Sequence, residues 1–178
     1  MVSKPYHQAA RTISLRVGRR YSKQYNPRGK LTSSEYVFPY QDNYFDFALL
    51  TSVFTHMLAD DMEHYLAEIA RTLKVGGRCM ISFFLLNADA NELMGTGKSS
   101  INFEHPLASC TVRNPNVPED AVAYEESFIR QCFAKYNLHV IEPIHYGKWP
   151  GRDKFLSYQD IILAVKDAPK YDERPAQR

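Results

Sequence analysis

Hydrophobic positions are unevenly organised along the 178 residues. Residues 1 to 34 show weak periodicity: Ala9 to Val17 suits a short helix or a strand, and Asn26-Pro-Arg-Gly marks a turn. From Tyr36 the pattern sharpens. Phe38-Pro39-Tyr40 leads through the polar Gln41-Asp42-Asn43 into Phe45-Asp46-Phe47-Ala48-Leu49-Leu50, an apolar run of strand length broken only by Asp46. A near-continuous apolar strand predicts a parallel sheet with both faces covered by helices.

Asp60 and Asp61 are placed to open a helix, where carboxylates suit free amides and the positive dipole end. Met62, Tyr65, Leu66, Ile69 and Leu73 follow i, i+3, i+4, i+7, i+11 and form one face. Glu63, Glu68, Arg71 and Lys74 fall mainly elsewhere on the wheel. Gly76-Gly77 is expected to stop this helix, and Cys79 to Leu86 gives the next apolar strand. Strand, helix, glycine turn, strand predicts a βαβ unit with parallel strands and a right-handed crossover. Residues 87 to 123 are polar and rich in Gly, Pro, Asn and Ser, and read as a long irregular lid or binding loop. Helical spacing resumes over Glu125 to Tyr136. Leu138 to Ile144 alternates like a strand, and Gln159 to Val165 forms a last strand. The charged tail from Lys166, with Pro169 and Pro175, is expected to fray.

Charge adds an asymmetry. Residues 1 to 34 hold eight Lys or Arg and no Asp or Glu, whereas residues 35 to 178 carry 14 basic and 20 acidic side chains. Three readings suit such a basic start: an organellar transit peptide, a nucleic-acid arm, or a solvated tail left by a displaced start site. The expected organisation is a basic segment over 1–34, one partial domain over 35–166 and a charged tail over 167–178. Cys79, Cys110 and Cys132 are odd in number and lack metal or redox spacing, so a reducing, cytoplasmic setting and no metal are expected. No apolar run approaches the ~20 residues of a membrane span.

Three segments together resemble one family. Phe38 to Asp46 is similar to the "LPF-x-DNSFD" segment leading into the fourth strand of class I, S-adenosylmethionine-dependent methyltransferases. Ser52-Val53-Phe54-Thr55-His56 resembles their "SVFEH" after that strand. Glu68 to Arg78 resembles "EIARVLKPGGR" before strand five, with Val75 in place of the usual proline. The ordered combination, from Tyr36 to Phe84, is what makes the resemblance specific. It implies an α/β fold: a partial Rossmann-like sheet of strands four to seven, whose last strand inserts antiparallel between its neighbours. It also implies S-adenosylmethionine as cofactor and a methyl acceptor, with a small molecule favoured.

Ligands of open α/β sheets bind beyond the carboxyl ends of the strands. The resemblance therefore places the methionine end of the cofactor against Leu50, Thr51, Ser52 and Val53. His56 has two readings, a general base for the acceptor proton or a loop histidine that positions the turn; the second is preferred. Asp46, at the opposite strand end, reads as structural. His105, His145 and Tyr146 read as an acceptor-pocket lining or, preferably, as ordinary loop and strand polarity. Trp149 either stacks on substrate or packs on a sheet edge. Tyr21, Tyr25, Tyr36, Phe38, Tyr40, Tyr44 and Phe45, near Arg19, Arg20, Lys23 and Arg28, suit single-stranded nucleic acid or, preferably, hydrophobic cover.

The family's other binding devices have no counterpart. Only Gly18 and Gly29 precede residue 76, without a G-x-G, and no Asp or Glu precedes Glu35. The glycine-rich loop and the acids for ribose and adenine are thus missing. A charge-assisted hydrogen bond contributes about 1.5–3 kcal/mol, so the chain alone is expected to bind the cofactor poorly. Strand four is expected to be an exposed edge, covered by the first 34 residues or by a partner chain. Present activity, a non-catalytic partner subunit or remnant, and a basic nucleic-acid binder are the three functional readings. A nicotinamide-dependent Rossmann enzyme is a weaker fourth.

Overall fold

The computed structural model describes residues 11–13 and 36–168. The elements run β1 (Thr12–Ile13), β2 (Phe45–Leu50), α1 (Ala59–Thr72), β3 (Leu73–Phe83), β4 (Leu85–Leu86), α2 (Ala88–Gly95), β5 (His105–Pro106) and β6 (Thr111–Val112), then β7 (Val122–Glu125), α3 (Glu126–Lys135), β8 (Leu138–His145) and β9 (Asp160–Lys166). The main sheet has the order β1-β2-β3-β9-β8. β1, β2 and β3 are parallel, and β9 runs antiparallel between β3 and β8. The βαβ unit and the inserted last strand are therefore both present. A second small sheet, β4-β7-β6-β5, lies beyond the end of β3.

α1 forms because its apolar stripe has a sheet to land on. Met62, Tyr65, Leu66 and Ile69 join Cys79, Ile81, Ile162 and Ala164 of the sheet and Ile129 and Phe133 of α3 in one buried cluster. Asp60 and Asp61 occupy its first turn, where the dipole favours them. The helix ends at Thr72, earlier than the glycine pair suggests. The chain turns extended at Leu73, and Gly76, at φ 78°, takes a left-handed kink between Phe45↔Leu73 and Phe47↔Arg78.

Three further expectations are corrected. Cys79 to Leu86 is two strands, because the chain leaves the main sheet after Phe83 and β4 pairs with β7. Residues 87 to 123 are not an irregular lid: they hold α2, β5, β6, a 3-10 turn at Pro118–Asp120 and the start of β7. Their apolar residues are too sparse for periodicity, yet Phe84, Leu86, Ala90, Phe103, Ala121, Ala123 and Trp149 close into a second buried cluster. Trp149 is therefore fully buried in a core of its own. Only one face of the main sheet is covered among the described residues. Ala48, Leu50, Cys79, Ile81, Ile162 and Ala164 face the helices and are buried, whereas Leu49 is 42% and Ile141 36% exposed on the other side.

Glu68 and Arg71, off the apolar stripe of α1, have a role that spacing does not show. Glu68 is buried and accepts from the Phe38 amide at 2.7 Å and from Arg71 at 2.8 Å. Arg71 also donates to the carbonyls of Phe38 and Tyr40 and to Asp42. This latch holds residues 38–42 against α1 and so aims the chain into β2. Phe38 sits beneath it, edge-on to Tyr65 at 5.1 Å. The edge of β2 is partly covered by Thr12–Ile13, paired with Phe47–Ala48. Tyr40, Tyr44 and Phe45 pack on one another near that edge, and Arg11 lies 4.6 Å over the Tyr44 ring. Asp46 pairs with Lys74 at 2.6 Å. Tyr21, Tyr25, the remaining N-terminal arginines and the Asn26 turn lie outside the described residues.

Burial pushes the Glu68 carboxyl up, but Arg71 and the Phe38 amide outweigh it and hold it below the usual glutamate range. Its stabilisation is thus complete above the unfolded value of ~4.3 and is lost as pH falls through the lower folded value. Glu68→Ala should cost about 2 kcal/mol in urea unfolding at neutral pH, and this deficit should shrink toward acid. A deficit unchanged from pH 7 to pH 3 would refute the latch.

Candidate functional site

The carboxyl ends of β2 and β3 meet the amino end of β9. At the end of β2 the chain turns sharply, and Ser52 is left-handed at φ 54°. Such a backbone costs a non-glycine residue about 1–2 kcal/mol, and three side chains hold it. The Ser52 amide donates to Ser82 Oγ at 2.8 Å. Ser82 Oγ donates to Gln159 Oε1 at 2.6 Å, and Ser52 Oγ donates to the same oxygen at 3.1 Å. Gln159 Nε2 lies 3.4 Å from Thr55 Oγ1.

Above this lock is a cavity of about 210 Å³ lined by Thr51, Ser52, Met80, Ser82, Ser157, Tyr158, Gln159 and Ile161. None of these side chains is charged. Of the four residues expected at the cofactor, Thr51 and Ser52 line it. Leu50 is buried toward the helices, and Val53 packs against the same core. His56 closes a 3-10 turn, and its Nδ1 lies 3.0 Å from the Glu119 carbonyl, linking the turn to residues 118–120. It does not line the cavity. His105 is exposed on β5, and Tyr146 OH donates to Glu126; neither they nor His145 line the cavity.

Sequence reasoning missed Ser82, Gln159 and Asp160. Ser82 and Gln159 lie 30 and 107 residues from Ser52, and no local pattern joins them. Asp160 is fully buried at the first position of β9. Its Oδ2 accepts from the Leu85 amide and Trp149 Nε1, both at 2.7 Å. Its Oδ1 accepts from the Gly147 amide at 2.6 Å, with Arg152 at 3.4 Å. Burial raises the Asp160 carboxyl above the usual range despite these donors. Gly147 must be glycine here, because a Cβ would lie 2.4 Å from the Tyr158 carbonyl. Burial also pushes the Cys79 thiol up to about 12 and Cys132 to about 11, so neither is a nucleophile at neutral pH.

The fold and the position of the cavity are those of a Rossmann-like α/β sheet with a ligand edge. Residues 12–81 match the family model described as a methyltransferase domain. The match is to 70 of the 178 residues, and it covers the three segments that resemble class I S-adenosylmethionine-dependent enzymes. Among solved structures, a methyltransferase of Methanosarcina mazei is 16% identical, with a TM-score of 0.49, over 82% of this chain and 73% of that one. The 1,6-didemethyltoxoflavin-N1-methyltransferase of Burkholderia thailandensis, bound to 1,6-didemethyltoxoflavin and S-adenosylhomocysteine, is 16% identical, with a TM-score of 0.46. That match covers 78% of this chain and 49% of the Burkholderia one, so the chain spans about half its length. An O-methyltransferase of Planctomyces limnophilus, in complex with apigenin, is 17% identical over 75% of this chain and 32% of that one, with a TM-score of 0.46.

S-adenosylmethionine can be tested against these residues. A cavity of about 210 Å³ has the room of about seven waters, below the ~300 Å³ at which pockets for drug-sized ligands begin. No carboxylate lines it to take ribose hydroxyls. The cavity suits one end of the cofactor and not the whole.

Asp160→Asn would turn an amide NH₂ toward either the Leu85 and Trp149 donors or the Gly147 donor. We expect a loss of about 1–3 kcal/mol, seen by thermal or urea unfolding, with Trp149 fluorescence reporting the opened cluster. A variant as stable as the parent would show that this carboxylate is not the anchor described.

Proposed function

We propose that this chain carries the methyl-donor floor of an S-adenosylmethionine-dependent methyltransferase and that alone it binds the cofactor weakly. The observation that supports the reading is the Ser52–Ser82–Gln159 lock. It presents Thr51 and Ser52 at the edge where the fold class binds ligands. Methyl transfer asks for positioning and a dry, uncharged wall more than for acid–base groups. Thr51, Met80, Tyr158 and Ile161 would supply such a wall. His56 is assigned to positioning, because its ring already bridges to Glu119. Leu50 and Val53 would act from below, by packing the strand end that Thr51 and Ser52 extend. The acceptor favoured is a small, uncharged molecule, since no counter-charge lines the cavity.

A second reading, a non-catalytic subunit that docks on a complete methyltransferase, is favoured by the half-uncovered sheet. No helix among the described residues is long and apolar enough to cross a membrane. The cytoplasm suits three buried, unpaired cysteines.

Calorimetric titration of the purified chain with S-adenosylmethionine should give no binding tighter than about 100 μM, a ceiling of about −5.5 kcal/mol. Micromolar binding would sink the claim of weak affinity. Transfer of a labelled methyl group, assayed at millimolar cofactor with pooled small-molecule acceptors, separates the readings. Turnover lost in Ser82→Ala and Gln159→Ala supports the enzyme. No transfer, together with co-purification of an intact methyltransferase, supports the subunit. Should RNA or DNA be retained, a steep loss with added salt is required before the basic-arm reading stands.

A further inference from the structure

The face of the main sheet left open among the described residues carries a continuous apolar row, half-buried at its centre. Leu49, Met80, Leu163 and Ile141 are directly paired across β2, β3, β9 and β8. Side chains at paired positions point to the same face. None of the four belongs to either buried cluster, and the two end members, Leu49 and Ile141, are 42% and 36% exposed. The row spans about 14 Å across four strands. Parallel strands such as β2 and β3 ordinarily have both faces covered, and among the described residues this face has no covering helix.

One row toward the amino ends of β2 and β3 stands Arg78, paired in register with Phe47 and Val165. Its side chain is exposed and makes no hydrogen bond or ion pair with any described residue. Met80 and Arg78 are two residues apart on one strand, about 6.6 Å, close to the 5.4 Å pitch of a helix. A helix laid along β3 would therefore set an apolar residue over Met80 and Leu163 and, one turn away, a side chain over Arg78. The complement is an acidic one. A second copy packed face to face supplies no such charge, because the same face offers uncharged side chains, His139 and Arg78 itself.

We propose that this face is a docking surface for an amphipathic helix of a partner chain that presents an apolar stripe and, one turn on, a carboxylate. Because Met80 also lines the cavity, such a helix would lie along its open side. The inference rests on the fold and burial and is independent of the methyltransferase reading.

The test uses the full chain and two labelled, stapled helical peptides of about 14 residues. Both carry the same leucine stripe, with Glu or Lys one turn beyond it. Fluorescence anisotropy should show the Glu peptide binding at least tenfold tighter than the Lys peptide. Arg78→Glu should reverse that order, and Leu163→Asp should abolish both. If Leu163→Asp does not fold, Ile141→Lys, at the exposed end of the row, should weaken both peptides at least tenfold. The proposal is overturned if neither peptide binds, if both bind alike, or if Arg78→Glu leaves the preference unchanged. A face already filled is read from a cysteine placed by Leu163→Cys: shielding of that thiol from a soluble maleimide, without peptide binding, overturns the proposal. Light scattering then tells a second copy from the chain's own ends.

Discussion

The Asp160 carboxylate is the constraint on which the arrangement turns. A carboxylate removed from water must be met on both oxygens, because an unpaired buried charge costs several kcal/mol. Here the amides of Leu85 and Gly147, the Trp149 indole and Arg152 meet it. Those donors come from β4 and from the loop before β9. One side chain thus fixes where the main sheet ends, where the second sheet begins, and how residues 147–159 return to the strand edge. Gln159, its neighbour, is then held where it can accept from Ser52 and Ser82.

The strand-end turn inherits that order. Ser52 keeps a left-handed backbone because Ser82, on β3, and Gln159, before β9, hold its amide and hydroxyl. The site is therefore rigid from below and open from the side. Opposite it, the Glu68–Arg71 latch sets the entry into β2 from the amino end. Between these two polar clamps the strand itself is apolar, so polar satisfaction at its ends rather than along it fixes its position.

The asymmetry of the sheet has a simple physical origin. Its strands read as buried on both sides, yet α1 and α3 lie on one side only. The right-handed crossover from β2 to β3 puts α1 on that side. The other face keeps the hydrophobicity of a two-sided sheet, and no helix among the described residues covers it. An edge strand and an open face together make the fold dependent on what meets them.

Much of the fold was legible from periodicity. The apolar run of β2, the stripe of Met62, Tyr65, Leu66 and Ile69, and the alternation in β8 and β9 each follow from local spacing, which sterics and burial impose along the chain. The three family-like segments pointed to Leu50, Thr51, Ser52 and Val53 at the end of β2, and of these Thr51 and Ser52 line the cavity. The second core did not show itself, because Phe84, Phe103, Ala123 and Trp149 lie far apart in sequence and gain their burial only on folding. Glu68 fell off the apolar stripe, and a helical wheel cannot see a loop folded over it. Ser82, Gln159 and Asp160 were invisible as a group, because hydrogen bonds across 30 to 107 residues leave no period. Sequence alone determined which residues form the main strands and helix α1, since those depend on neighbours a few positions away. Tertiary structure alone decided which polar groups clamp the strand ends and which face of the sheet lies open among the described residues, since those depend on distant segments meeting.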